Sequence, residues 1–305
     1  MGKSTVNDVK QIRRERRNES RRHLYLRATL ITILGNMVLA AAKGVVARTS
    51  GSSAVLSDAA NSLSDTFYGL LMAVGLYVAQ QPADESHPQG HSRFEPLVSV
   101  LIAVAMGVAA YSALREGVVR FGRGGTTVAA AWPTAVLLGG VLAKFAMYKI
   151  VSSLGQRARS PALRASARDN LADVLGSTAA WLGVLGSNVI HPLLDPIAGL
   201  VVALWILRTM WEILYENLGY LTGRGAPPEV VEEIIEAALS VPGVVAVHQV
   251  ISDYVGPELR VDMHIDVYGD MTLHDAHAIA EGVTESVESL SSVDLAFVHV
   301  EPADQ

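Results

Sequence analysis

Ser57-Asp58-Ala59-Ala60-Asn61-Ser62-Leu63-Ser64-Asp65 lies in an apolar run, 53–79, whose only charged residues are the two aspartates quoted. A helix needs about 20 apolar residues, at ~1.5 Å each, to cross the hydrocarbon core of a bilayer. The run therefore predicts a membrane span that carries carboxylates. Five further segments have the same length and character: 26–48, with Asn36 and Lys43; 95–120; 128–154; 165–190, with Asp169, Asn170 and Asp173; and 193–218. The fold predicted is a membrane α-helical bundle of six transmembrane helices.

Charge is distributed to match. Half of the 305 residues are hydrophobic, 18% are charged and none is Cys, with a mean hydropathy of +0.31. A simple soluble enzyme, a disordered chain and thiolate metal sites are excluded. Residues 1–24 form a basic segment, with Lys3, Lys10, Arg13, Arg14, Arg16, Arg17, Arg21 and Arg22. It reads as a solvated tail that fixes topology or as an amphipathic helix on anionic lipid. Basic residues favour cytoplasmic loops. The head, the 80–94 loop (Arg93) and the 155–164 loop (Arg157, Arg159, Arg164) are thus expected inside, with Arg120 and Arg123 running against the rule. Six spans from 25 to 222 then put both termini in the cytoplasm, at a cell (plasma or inner) membrane.

The remainder, 223–305, has another character. From 226 onward it holds Arg260 as its one base among 16 acidic residues. Helical periodicity follows Pro227-Pro228 to about Ser240, and Pro242-Gly243 ends it. Two β-branched stretches come next, Val244 to Ser252 and Leu259 to Val267. A second helix, Asp270 to Leu290, and a last strand, Leu295 to Val300, complete an αββαβ order. That order predicts a cytoplasmic two-layer α+β domain, one sheet face covered by helices and the other free for a partner.

Ionisable residues inside a span are costly and default to function, at roughly +2.5–3.5 kcal/mol each on the insertion scale. Asn61 and Asp65 are one turn apart on one helix face, and Asp169 and Asp173 repeat the spacing. Facing each other, the two pairs offer four oxygen ligands. Their negative charge calls for a divalent cation or for protons. Asp58, a turn before Asn61, reads either as a relay carboxylate or as a capping residue near the helix start.

Together these residues resemble the cation diffusion facilitator family of divalent-metal/proton antiporters. The resemblance is carried by the 57–65 run, by His87-Pro88-Gln89-Gly90-His91-Ser92-Arg93-Phe94-Glu95, by the Asp169/Asp173 pair and by the His-dotted tail. It implies a transport site of Asn61, Asp65, Asp169 and Asp173. It also implies a loop site of Asp84, His87 and His91, and a cytoplasmic-domain site of His248, His264, His277, His299 and Glu301. Zinc-transporting members have His at one or both leading positions of the pairs. Asn61 and Asp169 here resemble the manganese-exporting branch, since losing imidazole favours harder ions. Some relatives join a base at the start of the third span to an acidic residue after the sixth; here Arg93 faces Gly223 in that correspondence, so the lock lacks its acid.

The implied function is a homodimer that exports Mn²⁺ from the cytoplasm in exchange for protons by alternating access. The metal is its substrate and, in the tail, its regulator. Lipid surrounds it, and no nucleic-acid partner or enzymatic chemistry is expected. The alternatives are a Zn²⁺ (or Fe²⁺/Co²⁺) exporter of the same family, and a membrane-tethered metal sensor or scaffold that transports nothing.

Overall fold

The computed structural model describes residues 19–50, 53–124 and 134–303; most of the basic head lies outside the described residues. Two compact units divide at Asn217/Leu218. Six long helices come first: α1 (Glu19–Ser50), α2 (Ser53–Ala79), α3 (Phe94–Gly122), α4 (Thr134–Ala158), α5 (Pro161–Val189) and α6 (Leu194–Leu221). Among the described residues, four stretches are long and apolar enough to cross a membrane: Arg22–Val46, Asn61–Ala79, Phe94–Gly122 and Pro196–Leu221. α4 and α5 are more polar. Lys144 and Lys149 interrupt the first, and Arg164, Arg168, Asp169 and Asp173 the second.

The helical unit is apolar outside and partly polar inside. Val38, Phe67, Val74, Val108, Leu142, Leu182, Val201 and Trp211 are exposed, whereas Asn36, Lys43, Ser62, Asp65, Lys144 and Asn170 are buried. Lipid in place of water favours that inversion. The interior is lined with small residues, among them Ala28, Ala103, Ala162, Ala165 and Ala172, which let helices without a hydrophobic driving force approach closely. α1 packs on α2 and α4, α4 on α5, and α3 on α2 and α5.

The α4–α5 turn fixes where α5 begins. Arg159 adopts a left-handed φ of 52° to end α4. Ser160 then caps α5, its hydroxyl accepting from the Leu163 N–H, with Pro161 in the first turn. Ser-Pro is well suited to starting a helix there. Gly155 lets the antiparallel pair close: a Cβ on it would lie 3.1 Å from the Leu163 Cβ and 3.2 Å from the Arg164 nitrogen.

The second unit contains α7 (Pro228–Leu239), β1 (Ala246–Val255), β2 (Glu258–Val267), α8 (Leu273–Glu288) and β3 (Val293–Pro302). The sheet order is β1-β2-β3. β1 and β2 form an antiparallel hairpin closed by Gly256-Pro257, with Gly256 at φ 74°, the positive value a two-residue hairpin turn needs. β3 runs parallel to β2, and α8 is the crossover a parallel pair requires. Strict alternation along β2 buries Leu259, Val261, Met263, Ile265 and Val267 beneath Ile234, Ala238, Val283 and Val287 of the helices. Arg260, Asp262, His264 and Asp266 occupy the other face.

Candidate metal centre

In the helical unit, one carboxylate oxygen each from Asp65 (α2), Asp169 and Asp173 (α5) lie within 4.8 Å of one another. The i, i+4 spacing puts Asp169 and Asp173 on one face of α5, and α2 supplies the third group. A fourth side chain joins them that the sequence reading did not select. Lys144 of α4 donates from Nζ to Asp65 Oδ2 and to Asp173 Oδ2, each at 2.6 Å, and its side chain is 5% exposed. Charge-assisted bonds this short are strong, and two of them satisfy an ammonium that would be costly if bare. Asn61 is exposed, and its amide nitrogen is 3.5 Å from Asp65 Oδ2, at the outer limit of a hydrogen bond. Asp58 falls within α2, but its side chain lies outside the described residues. Nearby, Lys43 of α1 donates to the Ser62 hydroxyl at 3.0 Å.

Between α2 and α3, ligand atoms of Asp84, His87 and His91 also lie within 4.8 Å. His87 Nδ1 and His91 Nε2 each sit 3.5 Å from an Asp84 oxygen. The chain folds back through Gly90, at φ 92°, and Phe94 packs against both rings. The His87 backbone N–H donates to Asp84 Oδ1 at 2.7 Å and holds that carboxyl below its ordinary range. His91 is buried, with Nδ1 unpartnered among the described residues.

The third cluster lies on the helix-free face of the sheet. Register pairs His264 with His299 and Asp266 with Glu301. The β1–β2 register slips between Val247 and Gln249, so His248 is the extra residue of a bulge, a device that re-aims a side chain. His264 Nδ1 is 2.8 Å from Glu301 Oε1, and His248 Nε2 is 3.8 Å from Glu301 Oε2. Ligand atoms of His248, His264 and Glu301 lie within 4.8 Å, with His299 3.6 Å from the same carboxylate. The hydrogen bond with His264 pulls the Glu301 pKa down. Asp266, another group the sequence reading did not select, is 2.9 Å from His248 Nδ1. His277 stays apart: it is on α8, which packs on the opposite sheet face, and it pairs with Glu281 at 3.3 Å.

Residues 29–222 match the cation efflux transmembrane domain, and 226–303 match the cation efflux protein cytoplasmic domain. The chain belongs to the cation efflux family. It is thus a divalent-metal efflux transporter residing in a membrane, and not an enzyme in the usual sense. An uncharacterized transporter of Methanocaldococcus jannaschii is 34% identical over 275 residues, covering 90% of this chain and 97% of the relative. The manganese efflux system protein MneS of Bacillus subtilis is 26% identical, covering 90% and 95%. Among solved structures, the nickel form of a MamM C-terminal-domain variant is 32% identical with a TM-score of 0.25, covering 26% of this chain and all of the other.

Three clustered carboxylates, two of them bridged by an ammonium, form a place where positive charge is already stabilised. Two of its three helices could be picked from the sequence by their repeated spacing. Lys144 gave no such signal, since it has no partner at helical spacing in its own run to mark a face. The charge lock has no acid at position 223. Gly223 sits at φ 70° just after α6, a conformation that favours glycine over any acidic residue.

Proposed function

We propose that this cation efflux protein exports Mn²⁺ from the cytoplasm in exchange for protons. In this reading it is a homodimer of six-span subunits with both termini in the cytoplasm of the cell membrane. Residues 1–24 form the basic segment, 25–222 the transport domain and 223–305 the regulatory domain. The observation that supports the reading is the Asp65/Asp169/Asp173 cluster: oxygen-only, with Asp65 buried and the other two half-buried, and with the Lys144 ammonium bridging two of its carboxylates. Carboxylate oxygens suit Mn²⁺, and the absence of imidazole and thiolate among the cluster's three residues removes the ligands that favour zinc. The name of the relative MneS agrees with that chemistry. Protons compete with the metal for the same oxygens, which gives exchange a physical basis as the spans rock between inward- and outward-facing states. Asn61 stands at the edge of the site, and Asp58 is a relay toward it. The loop and tail clusters bind metal as regulators, favouring one facing state by population shift.

The histidines of those two clusters favour a second reading, Zn²⁺ export, because imidazole suits zinc. Proteoliposomes loaded with a metal-sensitive dye and exposed to Mn²⁺, Zn²⁺ or Fe²⁺ under an imposed pH gradient decide between the readings. Mn²⁺ flux above Zn²⁺ flux, driven by the gradient, is the expected result. Zinc at least as fast as manganese would replace the first reading with the second, and no flux with intact binding would leave a metal-responsive scaffold.

A further inference from the structure

Two buried asparagines next to the carboxylate cluster have a side-chain oxygen with no donor among the described residues. Asn36 on α1 and Asn170 on α5 are 1% and 2% exposed. The Oδ1 of each has no hydrogen-bond partner among the described residues. Such orphaned buried acceptors are rare and call for an occupant. The Asn170 Nδ2 donates to the Ser166 carbonyl at 3.0 Å, which fixes the end of the amide that is oxygen. Both asparagines line one cavity with Asp65 and Asp169, and it has about 20 Å³ of free volume. That is room for one water or one ion. Lys144 and Asp173 do not line it; they are joined to each other by the Lys144–Asp173 hydrogen bond. With the three carboxylates ionised, one lysine leaves a charge of −2, which a single divalent cation neutralises.

We infer that the cargo metal sits in this cavity, bound by the Asp65 and Asp169 carboxylates together with the amide oxygens of Asn36 and Asn170. Lys144 remains on Asp65 and Asp173 as a fixed counter-charge. The inference rests on the reading of the carboxylate cluster as the transport site and names the atoms that do the binding. It draws a third helix, α1, into the site and adds two neutral oxygens to two anionic ones. A set of carboxylate and amide oxygens suits hard cations and offers little to softer ones.

The test is calorimetric titration of Mn²⁺, and of Zn²⁺ in parallel, into the full-length protein in lipid nanodiscs. All variants carry His91→Ala and His264→Ala, so that the loop and tail clusters do not contribute. Asn36→Leu and Asn170→Leu should each weaken Mn²⁺ binding by roughly tenfold or more, the loss expected even for groups one layer removed from a metal, and Zn²⁺ binding by less. Asn36→Asp and Asn170→Asp, which put an anionic oxygen in the same place, should tighten Mn²⁺ binding; they carry the test if a leucine variant melts below the parent. Leucine variants that bind as the parent does, with Asp65→Ala inactive, would overturn this inference and leave the transport site standing. Aspartate variants without a gain would overturn it too. Parent-like binding in Asp65→Ala would remove the transport site and this inference with it.

Discussion

Lys144 makes Asp65 and Asp173 depend on one another, so truncating either has consequences beyond the loss of one ligand. Asp65→Ala leaves Lys144 with Asp173 alone, and Asp173→Ala leaves it with Asp65. Either change should abolish Mn²⁺ efflux in proteoliposomes while the protein remains inserted, as judged by its membrane-fraction yield and elution volume. Wild-type flux in either variant would sink the site. Asn61→His or Asp169→His should raise zinc flux relative to manganese in parallel vesicles, because imidazole reintroduces the ligand zinc prefers; an unchanged ratio would break the selectivity argument. Much of this chemistry was legible in the sequence, since i, i+4 spacing decides which residues share a face within one helix. That the two faces meet was an expectation from the matched spacing; which further helices join them is settled by packing between elements, and there the sequence was silent. Lys144 became visible only once α4 was placed against α2 and α5, and Asn36 and Asn170, read from the sequence simply as polar residues within spans, could be placed beside the cluster only then.

Among the elements, the α4–α5 hairpin carries the most consequence for its length. Ser160 and Pro161 start α5 at a fixed point, and Gly155 lets α4 lie close enough for Lys144 to reach Asp173. Gly155→Val would press on the Leu163 and Arg164 backbone, and overpacking of that kind costs about 1–3 kcal/mol. The expected outcome is a lower melting temperature and reduced metal flux together; unchanged flux would show that the hairpin spacing is irrelevant to transport. Helix and strand order in this region and in the tail was legible from apolar run length and from β-branched content. The strand ends were less so: β1 extends to Val255 and β3 runs from Val293 to Pro302, because backbone pairing with β2 continues beyond the polar Asp253 and Asp294 at which the apolar stretches were interrupted. The bulge at His248 was likewise unreadable, since it depends on register between strands.

Across the whole molecule, charge is segregated by unit, and the tail is the acidic part. Its third cluster, with His248, His264, His299 and Glu301 on one sheet face, gives a cation somewhere to offset that charge. Added Zn²⁺ or Mn²⁺ should stabilise residues 218–305 expressed alone, by ~2.7 kcal/mol at a hundredfold excess over the dissociation constant. Thermal melts followed by circular dichroism check this, and the gain should vanish in a His264→Ala/His299→Ala double variant. An equal gain in that variant would reduce the cluster to surface residues. The Glu301 carboxyl is held low by its bond with His264. Its contribution is therefore present above the unfolded value of about 4.3 and lost as pH falls through the lower folded value. Metal-free acid titration of the same unit should show that loss, and Glu301→Gln should remove it.

The ammonium bridging Asp65 and Asp173 beside Asp169 also has an electrical meaning. Moving one elementary charge across a membrane held at 100 mV involves about 2.3 kcal/mol. A site of net charge −2 carries a divalent ion across as a neutral package, and it returns equally neutral with two protons. Export by such a cycle should be indifferent to voltage, with no current on a solid-supported membrane and no change in flux when potassium and valinomycin set the potential. Replacing Lys144 with Gln would leave three carboxylates to be neutralised, and a return with three protons for each metal ion would then move one net positive charge inward per cycle, a current absent from the parent.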